Sequence, residues 1–372
     1  MLKKFEVRGF RNFKDWFTFD LSNAGGYQFN PECVIDDTVK TGVIYGPNGC
    51  GKSNLGRAIF DIKNHLTDGK TPETYTNYLN AESDTAEFKF TFDFNGIETI
   101  YSYTKESAEK ILNETLEIDG KVVISLDRKN PKKGRVVLKG AESLILKNIK
   151  DEISILKFVK NNSQLEENNL SIAFYSIFIF VEAMELVSSV HSHDRLMSNF
   201  SKFSEIIFEN NSLKKLEKFL NDVGIKCTLG KIDDDLKPRI ALCIGDKKFD
   251  FSKIASTGTL NVAEFFLLIF ILDRNIDDLQ KLPITPFRFF DEFDAFYHYE
   301  LSRKIVSIFK EKNAQVIFST HNTSIMNTDL LRPDCYFIMD DTAIKSMHNS
   351  TRKELREAHN IEKMYRAGSF NG

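Results

Sequence analysis

Lys52 and Ser53 end the segment Gly46-Pro-Asn-Gly-Cys-Gly51-Lys52-Ser53, which has the spacing GxxxxGK[ST]. An ammonium and a hydroxyl closing a glycine-rich turn are the groups that hold a nucleoside triphosphate and its Mg²⁺. Glycine lets backbone N–H groups come close to phosphate oxygens and adopt φ values that other residues avoid. A helix starting there adds the positive end of its dipole. Lys52 is expected to reach the β and γ phosphates and Ser53 to ligate Mg²⁺. Gly46, Asn48, Gly49, Gly51 and Asn54 complete the predicted ATP cradle. The flanks suit the motif: Gly42 to Tyr45 is an apolar run fit for a buried strand, and Asn54 to Leu66 is fit for a helix.

Three further stretches carry chemistry. In ITPFRFFDEFDAFYH (284–298) a mostly apolar run ends in Asp291-Glu292. Asp291 is placed to hold Mg²⁺, and Glu292 to polarise an attacking water as general base. In AQVIFSTH (314–321) a second apolar strand ends in Thr320-His321, where an imidazole can sense the γ-phosphate. The catalytic set is therefore Lys52, Glu292 and His321. In SKIASTGTLN (252–261) the residues Ser256-Thr257-Gly258-Thr259 precede an apolar helix. A Ser-x-Gly turn at a helix N-terminus makes a second anion site, with Ser256 and Gly258 as its contacts.

The elements that must position these groups belong to a folded chain. It has 372 residues, 42% hydrophobic and 28% charged, enough for one large core or a core with an inserted lobe. Lys plus Arg is 50 and Asp plus Glu is 53, so the formal charge is −3. Proteins that coat DNA carry a basic excess, so any DNA contact here must be local or come from a partner chain. Cys33, Cys50, Cys227, Cys243 and Cys335 form no CxxC pair, which argues against zinc or a disulfide framework and fits a reducing cytoplasm. MLKKFEVRGF has no apolar signal region. The most lipid-like stretch, Leu170 to Val190, carries Glu182 and Glu185 and reads as a buried helix rather than a membrane span.

Taken together, the motifs resemble the SMC, RecF and RecN branch of ABC ATPases. More closely, they resemble the compact AAA-type ATPases of bacterial phage-defence operons: the RloA/AbiL type, the PARIS ATPase and the ATPase half of OLD nucleases. The opening KFEVRGFRNFKDWFTFDLS is similar to that family's first hairpin, and the resemblance makes Arg8, Arg11 and Asn12 candidate nucleotide contacts. LLRPDCYFIMDD and NIEKMYRAGSF are similar to its closing strand and C-terminal segment. The resemblance implies that Ser256 and Gly258 act in trans, on ATP held by a second copy. Three positions depart from the pattern. The signature reads Ser-Thr-Gly-Thr rather than Ser-Gly-Gly. His298 stands where many relatives have an Asp. No Gln occupies a Q-loop position, for which Asn80 and Glu82 both remain open.

The expected fold is α/β: an ABC ATPase head with a P-loop, a mixed sheet and an inserted α+β lobe. Residues 1–95 form the N-terminal half of the head, 96–225 the lobe, and 226–372 the C-terminal half. Residues 97 to 139 alternate like strands, with turns at Asp119-Gly120 and 130–134, and 141 to 222 read as helices. Arg128, Lys129, Lys132, Lys133, Arg135 and Lys139 surround one hairpin, as a solvated turn or as a nucleic-acid or partner contact. His191 and His193 are spaced i, i+2 and do not share a helix face, which argues against a metal. The stretch after His321 leaves no room for a nuclease domain, so Asp340-Asp341 reads as the end of a core strand. The expected function is an Mg²⁺-dependent ATPase that dimerises head-to-head on ATP, as the cytoplasmic sensor or scaffold of an antiphage system. It would control a separate effector such as a nuclease. The alternatives are a RecF-like repair ATPase that binds DNA and a non-hydrolysing scaffold; the intact Glu292 argues against the latter. The residues do not decide whether dimers build into larger rings.

Overall fold

The computed structural model describes all residues except 69–76, 131–133, 148, 189–191, 233–236, 275–283, 296–297 and 371–372. Two sheets organise the head. The first is antiparallel and holds β1 (Leu2–Arg8), β2 (Phe17–Asp20), β6 (Ala86–Phe94), β7 (Ile97–Lys105), β8 (Ile111–Ile118), β9 (Lys121–Asp127) and β10 (Arg135–Val136) in the order β10-β9-β8-β7-β6-β1-β2. Its strands alternate, as a sheet with one buried face requires. In β6, Phe88, Phe90, Phe92 and Phe94 all point into the core, and Phe90 and Phe92 stack at 5.8 Å.

The second sheet contains β5 (Thr41–Tyr45), β11 (Glu185–Ser188), β15 (Phe287–Asp291), β16 (Gln315–Thr320), β17 (Tyr336–Met339) and β18 (Ile344–Ser346), in the order β11-β15-β16-β5-β17-β18. All its pairs are parallel except β17 with β18. β5, β15 and β16 are buried along their whole length. That explains their near-continuous apolar sequences, because helices cover both faces of a parallel sheet. A short hairpin of β3 (Val34–Ile35) and β4 (Thr38–Val39) leads into β5.

The helices are α1 (Lys52–Phe60), α2 (Lys63–Leu66), α3 (Ile155–Asn162), α4 (Asn169–Ala183), α5 (Ser192–Glu209), α6 (Leu213–Asp222), α7 (Phe251–Ile254), α8 (Thr257–Arg274), α9 (Tyr299–Lys310) and α10 (Ile361–Arg366). No described helix is long and apolar enough to cross a membrane. A third sheet, β12 (Leu229–Ile232), β13 (Arg239–Ile244) and β14 (Lys247–Asp250), joins α5 to α8 around a second core that includes Phe203, Leu216, Ile240 and Leu260. α8 bridges both cores. Leu260, Ala263 and Phe266 face the second, while Phe265, Leu268 and Leu272 face the first.

The third sheet, with α5, α6 and α8, is an α+β unit around the second core, and the strand pairing bears on the lobe expected at 96–225. The expected boundary at residue 95 falls inside a hairpin, because β6 and β7 pair from Ala86↔Lys105 to Phe94↔Ile97. The strands of 97–139 extend the sheet begun by β1, and their side chains join the first core. Alternation identifies a strand but not the sheet it enters. The stretch from Leu170 to Val190 also divides: α4 ends at Ala183, and β11 then pairs with β15. Arg128 is tied to Glu114 at 3.0 Å, with a side chain 7% exposed, rather than standing in a solvated basic turn. Lys132, Lys133 and His191 lie outside the described residues.

A buried polar group fastens α1 to the first sheet. Asp61, which caps the end of α1, accepts from Tyr78 Oη (3.0 Å), Tyr103 Oη (2.9 Å) and Lys105 Nζ (2.7 Å). Both charges are fully buried, so the pairing offsets a desolvation cost that neither could bear alone.

Candidate nucleotide site

β5 ends at Tyr45, and the loop from Gly46 to Gly51 delivers the chain to α1, which starts at Lys52. Two glycines are required by space. A Cβ on Gly46 would lie 2.3 Å from the Met339 carbonyl oxygen. Gly51 has φ 106, and a Cβ there would lie 2.4 Å from Asn12 Nδ2. The opening hairpin thus packs directly on the loop. Asn54 Nδ2 donates to Asn12 Oδ1 at 2.6 Å, and Arg11 Nη1 donates to Asn54 Oδ1 at 3.4 Å. Burial, with Arg57 nearby, lowers the Arg11 pKa. Arg8 turns elsewhere, to Glu87 at 2.6 Å and over the Trp16 ring at 4.8 Å. Lys52 is buried, and its Nζ donates to the carbonyls of Gly46 (2.9 Å) and Pro47 (3.0 Å). Burial lowers its pKa, while Cys50, Glu292 and Asp291 act in the opposite sense.

Because β15, β16 and β5 are adjacent and parallel, their carboxyl ends share one edge, where open α/β sheets hold ligands. Asp291 is the last residue of β15 and is 7% exposed. Glu292 follows with φ 48, a left-handed conformation that a non-glycine residue adopts only when its surroundings enforce it. Ser319 on β16 enforces it. Its Oγ donates to Asp291 Oδ1 (2.8 Å) and accepts from the Glu292 N–H (2.9 Å). Ser319 was absent from the candidates read in the sequence, where it is one small residue in a strand. His321 follows β16, with Nδ1 3.5 Å from Lys52 Nζ and Nε2 4.0 Å from Glu292 Oε1. Burial, then the Lys52 charge, lowers its pKa below the usual 6.5, which favours the uncharged imidazole, while Glu292 acts in the opposite sense.

Ser256 and Gly258 make no polar contact with this cluster among the described residues. Ser256 caps α8, with Oγ accepting from Thr259 N (3.2 Å) and lying 2.9 Å from Thr259 Oγ1. Among the described residues neither Ser256 nor Gly258 makes a polar contact with the phosphate loop. Asn80 supports the Arg11 turn, with Nδ2 2.5 Å from the Arg11 carbonyl, and Glu82 pairs with Lys14 on the surface. The strand flanking β15 is instead β11, whose last residue Ser188 lies opposite Asp291. That edge position was not read from the sequence. His298 precedes α9, and Asp340 closes the turn from β17 to β18 by accepting from Thr342 and Ala343.

The donor set fits the implied ligands. The Ser53 hydroxyl and the Asp291 carboxylate are hard oxygen donors of the kind Mg²⁺ takes alongside substrate phosphates and water. The glycine-lined loop is a cradle that side chains at Gly46 and Gly51 would fill.

Fold and site together define a P-loop nucleotide-binding protein with an ABC-type head. The chain belongs to the family described as "AAA domain, putative AbiEii toxin, Type IV TA system", whose model matches residues 43–327. No curated protein matches the chain in sequence. Among solved structures, an SMC head bound to the C-winged helix domain of ScpA superposes with TM-score 0.52 at 14% identity, over 93% of this chain and 97% of that one. The SMC head domain from Thermotoga maritima (TM-score 0.43, 17% identity, 93% and 98% covered) and RecF with ATPrS (0.40, 15%, 93% and 98%) are also similar. The first of these shows the fold, that of an SMC head.

Proposed function

We propose that this protein binds ATP with Mg²⁺, hydrolyses it, and uses the cycle to close and reopen a head-to-head dimer. The observation that carries this reading is the convergence of Lys52, His321 and Glu292, linked at 3.5 and 4.0 Å beside Asp291. Lys52 exchanges the carbonyls of Gly46 and Pro47 for phosphate oxygens. Glu292 takes the proton of the attacking water, and His321 donates a hydrogen bond to the γ-phosphate. Arg11, Asn12, Asn48, Gly49 and Asn54 surround the nucleotide, and Ser53 and Asp291 hold Mg²⁺, which supplies charge neutralisation on the phosphates.

The exposed cap of α8 supports dimerisation. Ser256 and Gly258 offer an anion site at the start of α8 that makes no polar contact with their own loop among the described residues, and in this reading the γ-phosphate they contact belongs to a second copy. In this reading the dimer is a cytoplasmic sensor or scaffold in phage defence, and it grips or releases a separate effector such as a nuclease. The family description, with its toxin–antitoxin wording, supports that context. The test is phosphate release together with solution mass by light scattering, for wild type and Glu292→Gln, with and without Mg-ATP. Wild type turns over and returns to its starting mass, while the variant stays assembled without turnover. Two species that remain monomeric in ATP would sink the trans arrangement.

A further inference from the structure

The turn after β15 is gripped twice by β16, and only one grip has a role so far. Ser319 holds Asp291 and the Glu292 N–H. The next residue, Thr320, is fully buried, and its Oγ1 donates to Asp294 Oδ1 at 2.7 Å. The same hydroxyl accepts from the Asn322 N–H at 2.9 Å. One hydroxyl thus ties Asp294, two residues after Glu292, to the backbone N–H of Asn322, one residue after His321. Successive strand residues point to opposite faces, so Ser319 and Thr320 seize the turn from two sides. The backbone adds a third tie, Phe293 N–H to the Ser319 carbonyl at 3.2 Å.

We propose that Asp294 is a positioning residue that locks the turn carrying Glu292 to the turn carrying His321 through the Thr320 hydroxyl. The inference rests on the proposed hydrolysis at this site. Asp294 touches no reacting atom. It fixes the separation between the base and the γ-phosphate donor, joining the Glu292 turn, which Ser319 already holds, to the turn that carries His321. An aspartate that only capped its own turn would affect stability, but it would leave the contribution of His321 intact.

A double-mutant cycle separates the two. Turnover is measured at saturating Mg-ATP for wild type, Asp294→Ala, His321→Ala and the pair, with ATP affinity and thermal melting recorded for each. Each single change is expected to lower kcat about tenfold or more, since small misplacements in a site cost that much. The pair is expected to fall no more than about twofold below the weaker single variant, with KM nearly constant. Thr320→Val reproduces Asp294→Ala, Thr320→Ser retains turnover, and Asp294→Asn, which keeps an acceptor oxygen, loses little. Losses that multiply in the pair, or full turnover in Thr320→Val, would overturn the lock. If Asp294→Ala does not fold, the Thr320 variants and Asp294→Asn decide by the same criteria. A wild type with no Glu292-dependent turnover refutes the hydrolysis reading instead. The lock is then read from the His321 ring resonances, which shift alike in Asp294→Ala and Thr320→Val if it exists and keep wild-type positions if it does not.

Discussion

Replacing Ser319 by Ala deletes one hydroxyl and strands two groups. The Glu292 N–H loses its 2.9 Å acceptor and Asp291 Oδ1 loses its 2.8 Å donor. Ser319 is fully buried, so water does not simply take its place. An unsatisfied buried group costs about 1–3 kcal/mol, and bonds to charged groups lie at the upper end. Asp291 retains slight exposure and can turn toward solvent, which recovers part of that. We expect a net loss of about 2–4 kcal/mol, large against the roughly 5–15 kcal/mol of a typical domain. The kinetic effect follows from the backbone. Glu292 holds φ 48 only while its N–H is anchored, and relaxation of the turn moves the carboxylate. Misplacement by about 1 Å costs on the order of 10²-fold, so kcat falls about that far. The contacts of Lys52 with Gly46 and Pro47 are separate, so KM for ATP rises less than kcat falls, its rise reporting the loosened Asp291. Urea unfolding and steady-state phosphate release measure both effects. A variant within about 0.5 kcal/mol and twofold in kcat would refute the anchoring argument.

Gly51→Ala should weaken nucleotide binding, because a Cβ at φ 106 is strained and displaces Asn12 from Asn54; titration with a fluorescent ATP analogue reads the loss. Lys105→Met should destabilise by about 3–5 kcal/mol in urea, since it leaves Asp61 charged and buried, and Asp61→Asn in the same chain should recover part of it. His65 is buried, with Nε2 3.0 Å from Tyr101 Oη, and burial holds its pKa well below 6.5. The unfolded chain therefore takes up this proton first as pH falls. The contribution is complete above pH 6.5 and declines below it, by up to about 1.4 kcal/mol per pH unit. Unfolding midpoints between pH 7 and 5 should fall more steeply for wild type than for His65→Gln.

What could be read in advance follows from how local each signal is. The strand, glycine loop and helix around Gly46 to Ser53 were legible because the motif is a contiguous string, as were the strands that end at Asp291 and just before His321, because they are apolar runs. Arg11 and Asn12 were legible only through resemblance. Their placement depends on the bonds to Asn54, which no local pattern encodes. Ser319, Thr320 and Asp294 were not legible at all. A hydroxyl in a strand is unremarked until the pairing of β15 with β16 brings Phe290 opposite Phe318 and sets the next residues, Asp291 and Ser319, within reach. The missed edge strand has the same cause. Leu186 and Val187 continue the apolar run of α4, and only their pairing with Phe289 and Phe290 makes them a strand. Local motifs thus point to the groups proposed to meet the nucleotide, whereas the groups that hold them still arise from register between distant segments. Substitutions in that second set should change turnover far more than ATP affinity, and substitutions in the loop should do the reverse.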